Sequence, residues 1–479
     1  MNLYCSWEPI YGIHASVAVV EPERITALNS KGIQQGADYV LYWTQMNRRV
    51  SHNHALAYAI ELANSLELPT LYYEGLGCDY PHANDRIHTF VLEGVPDTAR
   101  ALEPLGIGYA FYLRKKQRDP NDILYRLAQR AAAVITDDYP TFVTHRHNAS
   151  VPAKINTPYF VVDSSCIVPM NRFEKREWAA YTMRPKITKM LPEYLHRVRL
   201  PAVRKRWTEK RWTWQTNVTD EAILALVASC DIDHSVKPST AFRGGSREAN
   251  RRLRSFLNNN LRRYAKDRND PAEHATSDLS PYLHFGHISS LEVALRAKEH
   301  AREHKLVPDE FLEELIVRRE LAFNFARFTP NHDCLDSLPD WALRTLEKHA
   351  KDARDPQYTA KQMETAETYD ELWNATQKEL LVRGKIHGYY RMYWGKKIIE
   401  WARTHEEALT FMLYLHDKYA LDGRDPNTYT NVLWCFGLHD RPWAERPIFG
   451  QIRYMSYEGM RRKTNVEAYI REIEELKRT

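Results

Sequence analysis

The sequence reads as an α/β domain on a doubly wound, Rossmann-like parallel sheet, followed by an all-α domain. Three observations carry this reading. Five short apolar runs in the first third alternate with amphipathic segments at the spacing of strand–helix–strand units. Residues 170–245 are rich in Arg, Lys, Trp and Pro and read as a connector with short helices. Beyond 246 strand patterning stops, and apolar residues recur with helical periodicity to the end. The expected organisation is an N-terminal extension over 1–36, whose structure is left open, an α/β domain over 37–169, the connector over 170–245 and a helical domain over 246–479.

In order, residues 38–43 (DYVLYW) are a buried strand and 53–66 an amphipathic helix. Residues 68–73 are the second strand, and 88–93 lie in the second helix. Strands over 109–113 and 133–136 follow, with a helix over 123–131 between them, and 158–163 is the fifth strand. No GxGxxG follows the first strand, so the usual dinucleotide fingerprint is absent there.

A chain of 479 residues allows two or three domains and an ample core. Its 12 Trp and 28 Tyr supply either a large aromatic core or stacking surfaces for rings. A net charge of +5 excludes a basic tail protein, but positive charge is clustered. Residues 203–211 read VRKRWTEKR, 247–268 hold eight Arg or Lys, and Arg461, Arg462 and Lys463 form a third group. Such stripes suit a phosphate backbone, and equally describe solvated helix faces balanced by acids. Six scattered cysteines without a CxxC argue against zinc, iron–sulfur or disulfide frameworks, so no metal site is expected. The N-terminus lacks a basic region followed by an apolar core, and no stretch approaches 18 uninterrupted apolar residues. A soluble cytoplasmic protein without membrane contact is the expectation.

Four strings carry candidate chemistry. In TSDLSPYLHFG the hydroxyls of Thr276, Ser277 and Ser280 precede a helix at which Ser280 is expected as N-cap and Pro281 at the first position. Free amides there could hold a pyrophosphate, and a capped helix explains much of the same pattern. EELIVRREL over 313–321 mixes charge and apolar residues, as a cavity-facing helix or an ordinary amphipathic one would. DGRDPN over 422–427 is turn-rich, and a buried Asp422 needs a partner, for which Arg391 is the candidate. In HGYYRMYWGKKIIEW, Trp394 and Trp401 are seven residues apart, on one helical face and about 10 Å apart along the axis. Trp373 comes from a preceding segment. Indoles so spaced pass single electrons, although a core aromatic stripe has the same spacing.

Together these strings resemble the class II cyclobutane-pyrimidine-dimer photolyases of the photolyase/cryptochrome family. The resemblance runs from about residue 22 to about 470. It is densest in TSDLSPYLHFGHIS, EELIVRREL, LWNATQ, HGYYRMYW, DGRDPN and WAERPIFGQIRYMSYEG. It implies light-driven splitting of cyclobutane pyrimidine dimers in UV-damaged DNA by a monomeric enzyme carrying reduced FAD. An antenna chromophore, a deazaflavin or another pigment, is the second cofactor it allows. A cryptochrome-like photoreceptor without repair shares the fold, FAD and tryptophans, and only the lesion pocket discriminates the two.

By motif match, Tyr264, Thr276, Ser277, Leu279 and Ser280 would hold the pyrophosphate and ribityl region. Arg391 and Asp422 would pair beside the isoalloxazine, with Asp425 and Asn427 nearby. Trp394, Trp373 and Trp401 match a photoreduction chain, in that order from flavin to surface. Glu314 matches the acid that bonds the dimer's carbonyl, with Glu313 adjacent as the alternative. Met392, Trp434 and Arg318 would complete the lesion pocket. Three positions depart from the pattern. His416 stands where an Asn usually faces the flavin N5 edge, and is expected to make flavin redox behaviour depend on pH near neutrality. Gln451 replaces a Lys, removing a phosphate contact. His54 replaces a Trp in the α/β domain.

Overall fold

The computed structural model describes residues 19–209 and 211–476. Cys5, Lys210 and the first half of the N-terminal extension lie outside the described residues. Among the described residues six strands form one sheet: β1 (Ile25–Ala27), β2 (Tyr39–Thr44), β3 (Thr70–Leu76), β4 (Gly108–Leu113), β5 (Ala131–Asp137) and β6 (Tyr159–Val162), in the order β1-β6-β5-β2-β3-β4. Strands β2 to β6 pair in parallel, and helices His54–Ser65, Asp85–Leu92 and Ile123–Arg130 fall where the alternation predicts them. Strands β2 and β5 are buried along their whole length, because a parallel sheet is covered on both faces.

The sheet is mixed rather than wholly parallel. Strand β1, inside the extension left open above, pairs antiparallel with β6. Three residues are too short for a periodicity signal. The anchor is Arg24, fully buried, which donates to the carbonyls of Asp163, Cys166 and Ile167 at 2.6–3.1 Å.

Strand order reverses at β2, where doubly wound sheets open a crevice. Here the loop after β2 folds over that point: the Asp137 carboxylate accepts from the amides of Gln45, Met46 and Asn47 at 2.8–3.0 Å. The helical part docks against this loop. Gly286, at φ +69°, passes so close that a Cβ would stand 2.1 Å from the Met46 carbonyl oxygen. The connector forms helices Ala180–Tyr194 and Ile223–Ala228, but between them it lays Trp207, Trp212 and Trp214 on the sheet instead of a further helix. Trp212 and Trp214 stack at 5.3 Å, and a Cβ on Gly108 would meet Trp207 at 2.4 Å.

One apolar cluster runs from the sheet into helices Ser246–Asn259, Ser290–His304 and Arg319–Phe328. A second is built by Glu371–Arg383, Gly388–Trp401, His405–Tyr419, Pro426–Trp434 and Val466–Glu475. Phe323 belongs to the first and Phe325 to the second, so helix Arg319–Phe328 joins them. The candidate site lies between the two. Among the described residues no helix is long and apolar enough to cross a membrane.

Candidate functional site

Between the clusters is a cavity of about 500 Å³. Of the residues singled out by sequence, Tyr264, Thr276, Ser277, Ser280, Glu314, Arg391, Met392, Trp394, His416, Asp422, Asp425, Asn427 and Trp434 line it. Leu279, Arg318, Trp373 and Trp401 are not among its lining residues. Leu279 is buried in the first apolar cluster.

Arg391 and Asp422 meet as expected. Nη2 of Arg391 donates to both carboxylate oxygens at 3.0 Å, and the Ser280 hydroxyl donates to Asp422 Oδ2 at 2.7 Å. Ser280 is therefore the first residue of helix Ser280–His284, with Leu279 in the cap position, and its hydroxyl serves the carboxylate rather than capping. Burial works to raise the Asp422 carboxyl, but the charges of Arg391 and Lys385 outweigh it and hold it below the usual carboxylate value. Arg391 Nε, also buried, has no hydrogen-bond partner among the described residues.

His416, fully buried on helix His405–Tyr419, is held in one tautomer. Its Nδ1 lies 2.8 Å from the Met412 carbonyl, which can only accept, so Nδ1 carries the hydrogen. Nε2 is left as an unpartnered acceptor. Burial, reinforced by the Arg391 charge, lowers its pKa to about 4. Both causes favour the neutral imidazole, because a buried cation beside Arg391 is doubly penalised. Gly423 makes this packing possible, since a Cβ there would stand 2.3 Å from the His416 carbonyl oxygen.

Thr276, Ser277 and Ser280 share the cavity wall with Lys385, which sequence reasoning missed. Lys385 donates to Asp278 at 2.8 Å. Burial opposes its charge, but Asp278 and Asp422 prevail and raise its pKa. Next to it, burial and then the Lys385 charge lower His387 to about 3. Lys385 belongs to no recognised string, and only the fold brings it here. Asp425 caps helix Pro426–Trp434, accepting from the Asn427 amide at 2.9 Å, from Tyr139 at 2.7 Å and from His284 at 3.1 Å. It fastens the helical part to the loop after β5.

The glutamate pair divides its work. Glu314 lines the cavity and accepts from Arg268 at 2.7 Å, whereas Glu313 turns to Arg184 at 2.7 and 3.0 Å. Both sit in a π-helical turn, Glu313–Arg318, a distortion frequent at functional sites. Arg318 lies over the Trp434 ring, 5.4 Å from its centroid.

Trp394 and Trp373 are parallel within 2° at 6.4 Å between centroids, and Trp373 to Trp401 is 5.3 Å. Trp394 Nε1 donates to Gln377 and Trp373 Nε1 to the Trp394 carbonyl. The expected path to the surface is corrected at its end: Trp401 is 0% exposed, covered by Tyr358 and Tyr369.

The basic stripe over 247–268 is largely neutralised. Arg247 pairs with Asp97, Arg251 and Arg252 with Glu248, Arg263 with Glu273 and Arg268 with Glu314. His54 begins the first helix of the α/β part, buried, and does not line the cavity; neither does Gln451, which is exposed.

Comparison with known proteins adds four findings. A family model described as DNA photolyase matches residues 40–204. The deoxyribodipyrimidine photo-lyase of Methanothermobacter thermautotrophicus is 39% identical over 96% of this chain and 99% of its own. That of Arabidopsis thaliana is 37% identical over 96% and 95%. In fold, the chain matches the crystal structure of a bacterial class III photolyase from Agrobacterium tumefaciens with a TM-score of 0.67. That match is 17% identical and covers 92% of this chain and 87% of the other.

Proposed function

The chain belongs to the DNA photolyase family, and on that premise we propose that its cavity binds FAD and that it splits cyclobutane pyrimidine dimers. It is an enzyme of light-dependent DNA repair, a lyase acting on UV-damaged DNA, and the family's cofactor is a flavin. The motif strings, among them TSDLSPYLHFGHIS and DGRDPN, support class II membership.

One observation supports this reading above the others. Residues from four distant stretches, around 276, 314, 391 and 422, converge on one cavity that holds the Arg391–Asp422 pair and, among the described residues, three unpartnered buried atoms, Arg391 Nε, His416 Nε2 and His387 Nε2. Buried polar atoms need partners, and a donor and an acceptor so placed fit the heteroatom edge of a flavin ring. Thr276, Ser277, Ser280 and Lys385 make a polar end suited to a pyrophosphate. FAD, when bound, supplies light absorption and the electron that splits the dimer and returns.

The protein's own share is to hold and to exclude. Arg391 holds the Asp422 carboxylate charged, so a negative ring can be accommodated beside a fixed cation. Glu314, Met392 and Trp434 line the same cavity and offer a hydrogen-bonding group, a soft contact and a stacking face to a lesion turned out of the duplex. A dimer already weakens stacking, which lowers the cost of extrusion.

The absorption spectrum of the purified protein, with FAD added and removed, tests the cofactor. Flavin bands are expected, with a further near-ultraviolet or blue band if an antenna pigment is bound. A protein that retains no flavin after incubation with FAD contradicts the reading.

A further inference from the structure

The indole series ends inside the protein. Trp401 is 0% exposed, and its Nε1 has no hydrogen-bond partner among the described residues. Two tyrosines cover it, Tyr358 at 5.2 Å and Tyr369 at 5.8 Å between ring centroids. Tyr369 is 59% exposed, whereas Tyr358 is half-buried and its hydroxyl accepts from the Tyr369 amide at 3.0 Å. The Lys397 ammonium stands 5.6 Å from the Trp401 ring, 5.9 Å from that of Tyr369 and 3.5 Å from the Tyr369 hydroxyl.

We propose that Tyr369, and not Trp401, is the redox terminus of this series, where a hole leaving the cavity reaches solvent and is filled by a soluble thiol. The proposal rests on the flavin reading of the cavity.

A hole on Trp401 is poorly placed to stay. As a radical cation it sits in a buried setting, where water cannot solvate its charge. Its indole proton has no acceptor at hand, so it cannot relax by deprotonation. Tyr369 offers both exits. One electron passes from its ring to Trp401, restoring the neutral indole. The phenol O–H breaks and its proton goes to water at the exposed hydroxyl, leaving a neutral tyrosyl radical. Lys397 still donates to that oxygen. A small-molecule thiol then returns one electron and one proton, regenerating the phenol and becoming a thiyl radical. Tyr369 lies outside every string that the sequence singled out, four residues before Trp373.

The test is electron paramagnetic resonance of the flavin-loaded protein, illuminated without thiol and frozen, with a duplicate made from ring-deuterated tyrosine. A tyrosyl signal that narrows on deuteration is expected, with its loss and a tryptophanyl signal in Tyr369→Phe. The tyrosyl signal should persist in Tyr358→Phe. Phe keeps the ring at an exposed position, so the fold is retained. A tyrosyl signal unchanged in Tyr369→Phe overturns the proposal, as does a native protein with only a tryptophanyl signal. Flavin bands without any light-induced protein radical overturn it alone. A protein that takes up no flavin overturns the cavity reading and this proposal with it.

Discussion

The Trp394 indole and the His416 imidazole meet edge to face, 87° apart with 5.1 Å between ring centroids. Both line the cavity, so the first indole of the series and the unpartnered acceptor share one wall. Replacing Trp394 by Phe keeps most of the packing volume but removes the easily oxidised ring. We expect Trp394→Phe to lose photoreduction of the oxidised flavin and to keep repair by chemically reduced protein. Flash absorption measures the first and a dimer assay the second. Photoreduction at the native rate would leave Trp394 a packing residue.

His416 gives a pH prediction with a definite sign. Its folded pKa, about 4, lies below the unfolded value of 6.5, so between these pH values the unfolded chain binds the extra proton. Stability is therefore lost as pH falls from 6.5 towards 4, at up to about 1.4 kcal/mol per pH unit for this one group. Denaturant titrations from pH 4 to roughly 8 should show His416→Asn with a shallower acid slope, and the two proteins parallel above pH 7. Equal slopes throughout would mean that His416 titrates normally.

Removing one partner of a buried ion pair strands the other. Asp422→Asn should destabilise the protein by about 3 kcal/mol, read as a lowered denaturation midpoint, because Arg391 is left buried without its counter-charge. Flavin retention should weaken in parallel, read by equilibrium dialysis. Unchanged stability and unchanged retention would remove the pair from the account.

What the sequence disclosed and what it withheld divide along physical lines. The five longer strands and the helices His54–Ser65, Asp85–Leu92 and Ile123–Arg130 follow from local periodicity, which needs no knowledge of neighbours, whereas Val95–Leu102 and Phe142–Ser150 went unread. The convergence of Thr276, Glu314, Arg391 and Asp422 on one cavity was legible only through motif resemblance, because their spacing along the chain encodes no distance. Three features had no local signal. Strand β1 is held by the long-range contacts of Arg24. Ser280 leaves the cap position for a carboxylate 142 residues away. Trp401 is closed off by two tyrosines, Tyr369 lying in the segment just before Trp373 and Tyr358 further upstream. The charge runs left two readings open, and the pairs Arg247–Asp97 and Arg263–Glu273 favour the one in which acids balance them, since formal charge says nothing of the acids that fold against it.

Glu314 separates binding from chemistry. Glu314→Ala removes a carboxyl from the cavity wall and releases Arg268, yet Glu314 is half-exposed and pairs only at the rim, so stability should change by less than about 1 kcal/mol. Repair of a defined dimer should fall at least tenfold while the flavin spectrum stays the same. Undiminished repair would remove Glu314 from the lesion site.

The central claim is that this cavity turns light into the splitting of a cyclobutane dimer. Its most direct test follows a single thymine dimer in a defined oligonucleotide, mixed with protein whose flavin is fully reduced, in the dark and under blue light. Light-dependent recovery of intact thymines, with a (6-4) photoproduct in a parallel strand left untouched, is the predicted result. A dimer that survives illumination with reduced flavin present would contradict the account.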